Sequence, residues 1–260
     1  MKNTMFKYIK PVAICSALLV MMFASCKNDD YYQDGGKAEP KFNGNIMQYL
    51  ESNPAKFDTI VQIIKLADLE GVLSNEEVTF FCPTDEVIRR TIGTVNRVLD
   101  DPYKGQLNQY LFDLGKDTIA NFSDVPSNIW RKYLMRYIFK GKNVLKDYPQ
   151  LDFGLTQLYP GGFYRGYNDD LSNIGVVYNS TNGVAYTGYR QLSISFIRDS
   201  STPELSISAA VATSDVQPSN GVVHVLAVTT GQFIGETYTD PGGSMFGFGD
   251  DFWVDVIFNR

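Results

Sequence analysis

Histidine is almost absent from this chain of 260 residues: His224 is the single one, beside three cysteines and two tryptophans. That scarcity excludes several chemistries at once. A zinc centre of the usual His/Cys kind needs three or four such ligands, and only His224 and Cys82 are available away from the N-terminus. A Ser-His-Asp or Cys-His catalytic set would have to use His224 as its base, with a nucleophile within hydrogen-bond reach. No glycine-rich phosphate loop, dinucleotide fingerprint or G-x-S-x-G elbow occurs. Positive charge is also short. The formal net charge is −6, and no cluster of lysines and arginines interrupts it, which argues against nucleic acid and against an anionic lipid surface as partners.

Long apolar runs are missing except at the start. Lys2, Lys7 and Lys10 form a basic region ahead of an apolar stretch, residues 11–23, that is too short to span a bilayer comfortably. It ends in Phe23-Ala24-Ser25-Cys26. This resembles a bacterial lipobox, which implies cleavage before Cys26 and lipidation of its thiol; the alternative is an ordinary signal peptide with an incidental cysteine. Residues 1–25 are thus expected to be a lipoprotein signal peptide and 26–42 a lipid-anchored flexible linker, polar and containing Gly35-Gly36. Asp29 and Asp30 behind the cysteine look like the surface-export signal of Bacteroidota lipoproteins. The expected place is therefore the outer membrane, facing the cell exterior, with membrane contact only through the anchor. Loss of the signal removes three lysines and no acids, taking the charge to −9. With Cys15 removed and Cys26 acylated, Cys82 is left alone and no internal disulfide can form.

The remaining chain reads as one α+β domain over 43–235, helices first and strands later. Asn53-Pro54 starts a helix with Phe57, Ile60, Val61, Ile64 and Ala67 on one face and Gly71 as its stop, and 46–50 is a further turn. The stretch VTFFCPTDEVI, residues 78–88, encodes a strand, a proline stop and a new helix. Thr84 or Asp85 is expected to cap that helix, which should run over 86–99. Residues 103–114 are a further helix candidate, and Ser127 should cap another over 128–139, closed by Gly141. Beyond residue 150 the period changes to two. Residues 174–178, 192–196, 205–211 and 221–228 are strand candidates, with turns at Asn182-Gly183, Thr202-Pro203 and Asn220-Gly221.

Two segments carry a family resemblance. DTIVQIIKLADLEGVLS followed by VTFFCPTDEVI resembles the first signature of the fasciclin (FAS1) family, and SDVQPSNGVVHVLAV resembles its second. The similar region runs from about residue 43 to 233. The resemblance implies a FAS1-like β-wedge with helices packed around it, a secreted or surface-anchored context, and adhesion or ligand binding rather than enzyme activity. The family's Tyr-His pair, associated in animal members with integrin binding, corresponds here to Tyr137-Ile138; the isoleucine breaks the match, and Tyr137 is expected to pack in the core.

His224 lies within an apolar strand, so its ring is expected to satisfy a neighbouring group rather than act as a base or ligand. Cys82 is expected to be a small core hydrophobe. Asp169-Asp170 and Asp250-Asp251 lack the ligand ladder of a calcium site and any glycosidase motif, and read as solvated loop charge. No catalytic residue, metal site or cofactor is expected. Candidate ligand contacts come from two aromatic segments: YPGGFYRGY, with Tyr159, Phe163, Tyr164, Arg165 and Tyr167, and the tail 236–260 with Trp253. Aromatics beside polar groups suit an extracellular glycan or protein ligand; alternatively the first segment folds back on the sheet. The tail alternates Phe252, Val254, Val256 and Phe258, which predicts an extra strand or a docking element. The leading expectation is a surface-anchored binding or adhesion module. The alternative is an accessory subunit of a TonB-dependent outer-membrane nutrient importer.

Overall fold

The computed structural model describes residues 40–95, 106–201, 207–227, 233–234, 237–238 and 244–259. The signal peptide, Cys26 and nearly all of the linker lie outside the described residues, as does the Thr202-Pro203 turn.

Three short helices open the domain: α1 (Ile46–Glu51), α2 (Pro54–Leu66) and α3 (Glu70–Asn75). Asn45 and Gln48 form a capping box on α1, each side chain bonding the other's backbone N–H at 2.9 Å. Pro54 takes the first position of α2, where its missing N–H costs nothing. The helix ends at Ala67, with Asp68 in the left-handed region (φ 52°), not at the expected Gly71, which lies inside α3. The strand β1 (Val78–Cys82) and helix α4 (Asp85–Ile92) follow. Neither expected cap bond forms at α4. Thr84 occupies the cap position without using its hydroxyl, and Asp85 instead accepts the Ile60 backbone N–H of α2 at 3.1 Å. The helix stops at Gly93 (φ 65°), well short of 99.

Next come α5 (Leu107–Asp113) and α6 (Ser127–Leu134). Helix was expected through 139, yet residues 135–137 tighten into a 3-10 turn and 138–140 become the strand β2 (Ile138–Lys140). Tertiary pairing overrides local pattern here: Ile138 and Phe139 lie opposite Phe80 and Thr79 in an antiparallel ladder. The other strands are β3 (Gln150–Leu151), β4 (Gly162–Arg165), β5 (Leu171–Tyr178), β6 (Arg190–Phe196), β7 (Ile207–Val216) and β8 (Gly221–Leu226), with a small separate hairpin of β9 (Phe233–Ile234) and β10 (Thr237–Tyr238). The main sheet runs β2-β1-β8-β7-β6-β5-β3, with β4 also on β5. It is mixed, since β1 and β8 are parallel and so are β3 and β5. The α+β expectation holds. The two segments that resemble the fasciclin signatures lie side by side, Val78 opposite Gly221 through Cys82 opposite Val225. Gly221 is required by this approach, because a Cβ there would stand 2.1 Å from the Val78 carbonyl oxygen.

The tail is helical: α7 (Ser244–Phe248) and α8 (Asp250–Phe258). The expected strand fails because the buried positions are Phe248, Phe252 and Val256, one helical turn apart, while Val254 and Phe258 are 49% and 80% exposed. Phe248 and Phe252 pack edge-on against each other and around Trp130. Tyr137 is fully buried and stacks on Phe248, with Phe246 against its edge. The tail therefore completes the core, and one compact unit spans 39–260.

Candidate functional site

A pocket of about 240 Å³ opens between β2, the loop that follows it, and β4. Three of its residues come from the first aromatic segment: Tyr164, Arg165 and Tyr167. The strand alternation of β4 turns Tyr164 inward and leaves Phe163 56% exposed on the other side. After β4 the chain turns tightly, Gly166 N–H donating to the Asp170 carbonyl at 2.9 Å and Asp169 adopting φ 65°. Tyr167 N–H then donates to the Ile138 carbonyl at 2.8 Å, pinning this turn to β2. The Tyr167 hydroxyl donates to Glu76 at 2.7 Å, which raises its pKa.

The opposite wall was not anticipated from sequence. Lys140 at the end of β2 lies 5.7 Å above the Tyr167 ring, and Asn143 and Tyr148 follow in the loop. Tyr148 is 6% exposed and packs edge-on against Tyr164 at 5.4 Å, and its buried hydroxyl lies near the Thr79 hydroxyl without a hydrogen bond of ordinary geometry. Burial foremost, then the nearby Tyr164 hydroxyl and Asp147 carboxylate, push its pKa well up against the opposing effect of the Thr79 hydroxyl, so it stays a neutral donor. The Tyr164 phenol is raised for the same first reason.

Strands β1 and β8 hold this loop in place. Thr79 of β1 accepts the Asn143 N–H at 2.9 Å and donates to the Gly141 carbonyl at 2.7 Å. His224 of β8 donates from Nε2 to the Asn143 carbonyl at 3.0 Å, while its Nδ1 accepts the Asp215 N–H at 3.2 Å. Both ring nitrogens are thereby used, the ring is fully buried, and desolvation lowers its pKa to about 4. It is a neutral structural clamp, with no free nitrogen to accept a substrate proton. Cys82 is buried, its thiol reaching the Pro83 carbonyl, and burial pushes its pKa well up, the opposite of a reactive thiolate.

The remaining candidates disperse. Tyr159 packs against Tyr186 at 5.8 Å, away from Tyr164. Trp253 of α8 lies against Tyr110 of α5 at 5.4 Å. The acidic pairs are not simply solvated: Asp170 accepts from the buried Arg136 at 2.8 Å, and Asp251 lies 3.8 Å from the same guanidinium and 3.4 Å from Arg198. The Arg136 guanidinium sits 3.9 Å over Phe196 and 4.6 Å over Tyr133, so these acids fix the tail to the sheet. Among the described residues no group of three or more His, Cys, Asp or Glu is placed to hold a metal.

No family model matches the sequence, and no curated protein matches it. Among solved structures the chain is similar to a FAS1 domain pair from the insect cell adhesion molecule Fasciclin I, with 21% identity and a TM-score of 0.41. The match covers 70% of this chain and 49% of that one, so this chain spans about half the length of the solved structure it matches.

Proposed function

We propose that this chain is a non-enzymatic binding module of fasciclin type. Acylated Cys26 tethers it to the outer membrane, where it presents the Tyr148–Tyr164–Tyr167 pocket to an extracellular ligand. The observation that carries this reading is the pocket itself, in which rings, phenols and cations from two segments converge on a loop clamped by the two signature-like strands. The clamp supports binding over catalysis, since the lone histidine spends both nitrogens on backbone groups.

Metabolic labelling with a palmitate analogue, with Cys26→Ala as control, tests the anchor. Protease shaving of intact cells tests the exposed face. Label that persists in the variant, or protein that survives shaving intact, overturns the surface assignment. Purification from solubilised membranes tests the partner: recovery as a lone chain agrees with an adhesion module. A stoichiometric importer in the same fraction moves the assignment to the accessory-subunit alternative.

A further inference from the structure

We propose that the pocket beneath Lys140 and Arg165 takes a single sugar residue carrying a carboxylate, such as a uronic or sialic acid unit at the end of a glycan. The inference deepens the binding-module reading and rests on it. Four observations converge on this chemistry.

The size comes first. Pockets for drug-sized molecules run roughly 300–1,000 Å³, so one of about 240 Å³ admits a single ring rather than a stretch of polymer. The second is the wall. Tyr148, Tyr164 and Tyr167 contribute ring surface, and the apolar C–H face of a pyranose packs on such rings while its hydroxyls keep their hydrogen bonds at the edge.

The third observation is the Tyr148 hydroxyl. It is buried on a residue that lines the pocket, and beside it stands only the Thr79 hydroxyl, already engaged with Gly141 and Asn143 and not in ordinary hydrogen-bond geometry; a donor so poorly matched costs free energy that a ligand oxygen reaching it removes. The raised pKa keeps its proton in place, so it offers a donor to that oxygen.

The fourth is charge. Lys140 and Arg165 sit on the rim of a pocket in a chain whose balance is acidic. Lys140 contacts the Tyr167 ring and Arg165 donates to the Asp169 carbonyl at 2.9 Å, but neither has a carboxylate partner among the described residues. The acids nearby are otherwise engaged: Glu76 accepts from Tyr167, and Asp147 accepts the Val144 N–H at 2.9 Å. Asp169 is the one rim carboxylate, against two cations. A ligand carboxylate supplies what Lys140 and Arg165 lack.

The test uses the full chain in detergent micelles on a printed array that pairs uronic- and sialic-acid glycans with their neutral ester or hydroxyl analogues. A glutamate-rich peptide is included as a second acidic probe. The expected result is signal confined to carboxylated glycans, weaker by about tenfold or more on the neutral analogues and weaker at high salt. Lys140→Gln should abolish the discrimination between acid and ester. Tyr148→Phe should cost about tenfold in affinity for the acid, with a melting temperature unchanged or higher, because it removes a buried hydroxyl that makes no well-formed bond in the empty fold. Equal binding of acid and neutral analogue, selective binding of the peptide, or an unaffected Tyr148→Phe variant overturns the proposal. Silence on every glycan does so as well, while leaving the anchored-adhesion reading to its labelling and shaving tests.

Discussion

Acidification from pH 7 to pH 5 is expected to remove about 2 kcal/mol of folding stability through His224 alone. The ring is fully buried, accepts from Asp215 N–H at Nδ1 and donates to the Asn143 carbonyl from Nε2, so a second proton has no acceptor and forces Nδ1–H against a backbone donor. Burial lowers its pKa from 6.5 to about 4. Between those values the unfolded chain binds a proton that the folded one refuses, so stability falls as pH falls below about 6.5 and levels out below about 4, for a total of about 3 kcal/mol. Above 6.5 the contribution is flat. Two carboxylates modulate the lower end. Asp215, 3.9 Å from the ring, has a raised pKa because of burial; it takes its proton earlier in the folded state and flattens the acid limb. Asp255 has a lowered pKa despite partial burial, through its bonds to Lys132 and Tyr133, and weakens the fold only in stronger acid. With one histidine in the chain, the window from pH 6.5 to 5 belongs to His224. Urea denaturation at pH 7.5, 6.5, 5.5 and 5.0 measures the slope. His224→Gln should be less stable at neutral pH but nearly flat across that window. A wild-type curve with no slope there, or the same slope in the variant, refutes the buried-neutral assignment.

Helix and strand make opposite demands on the tail. Phe252→Ala should cost about 3–5 kcal/mol and Val254→Ala under about 1, measured by urea midpoint, because α8 buries only the first; equal losses would restore the strand reading. Arg136→Ala should cost about 2–4 kcal/mol, since it leaves Asp170 with Asn168 but no cation and empties a slot between the Tyr133 and Phe196 rings; a loss below about 0.5 would show that the pair is dispensable. Gly247→Ala should destabilise by about 1–3 kcal/mol or more and open the tail to limited proteolysis, because the added methyl would meet the Tyr137 hydroxyl at 2.0 Å. Wild-type resistance in that variant would mean that α7 does not pack as described.

Much of the framework was legible because it is written locally. Asn45 and Pro54 mark helix starts, Val78 to Cys82 and Gly221 to Leu226 are dense in β-formers, and Asn182-Gly183 supplies the two positive φ values of a tight turn. What sequence pattern cannot supply is pairing. Residues 138–139 look helical until β1 offers them a ladder, and in the tail Phe252, Val254 and Val256 satisfy a period of two as readily as Phe248, Phe252 and Val256 satisfy a period of four. The site divides the same way. Tyr164, Arg165 and Tyr167 announced themselves as aromatics and a cation among glycines. Lys140, Asn143 and Tyr148 carry no local signal, because their meeting with that segment depends on one backbone bond from Tyr167 to Ile138 and on the hold of Thr79 and His224. Phe163 and Trp253 left the group for opposite reasons, one turned outward by strand alternation and the other held against Tyr110.

The place where the N-terminal segment joins the domain has a mechanical consequence. Residues 40–42 run parallel to Gln217, which donates its N–H to the Pro40 carbonyl and accepts the Phe42 N–H at 3.0 Å. Asn220, at the start of β8, accepts the Ile46 N–H at 2.9 Å just beyond. Tension arriving along that segment is therefore delivered beside an interior strand, with β1 on one flank and β7 on the other. A pull on residue 40 meets the two bonds at Gln217 before the Asn220 bond to Ile46, and both stand ahead of the His224 bond that holds the pocket loop.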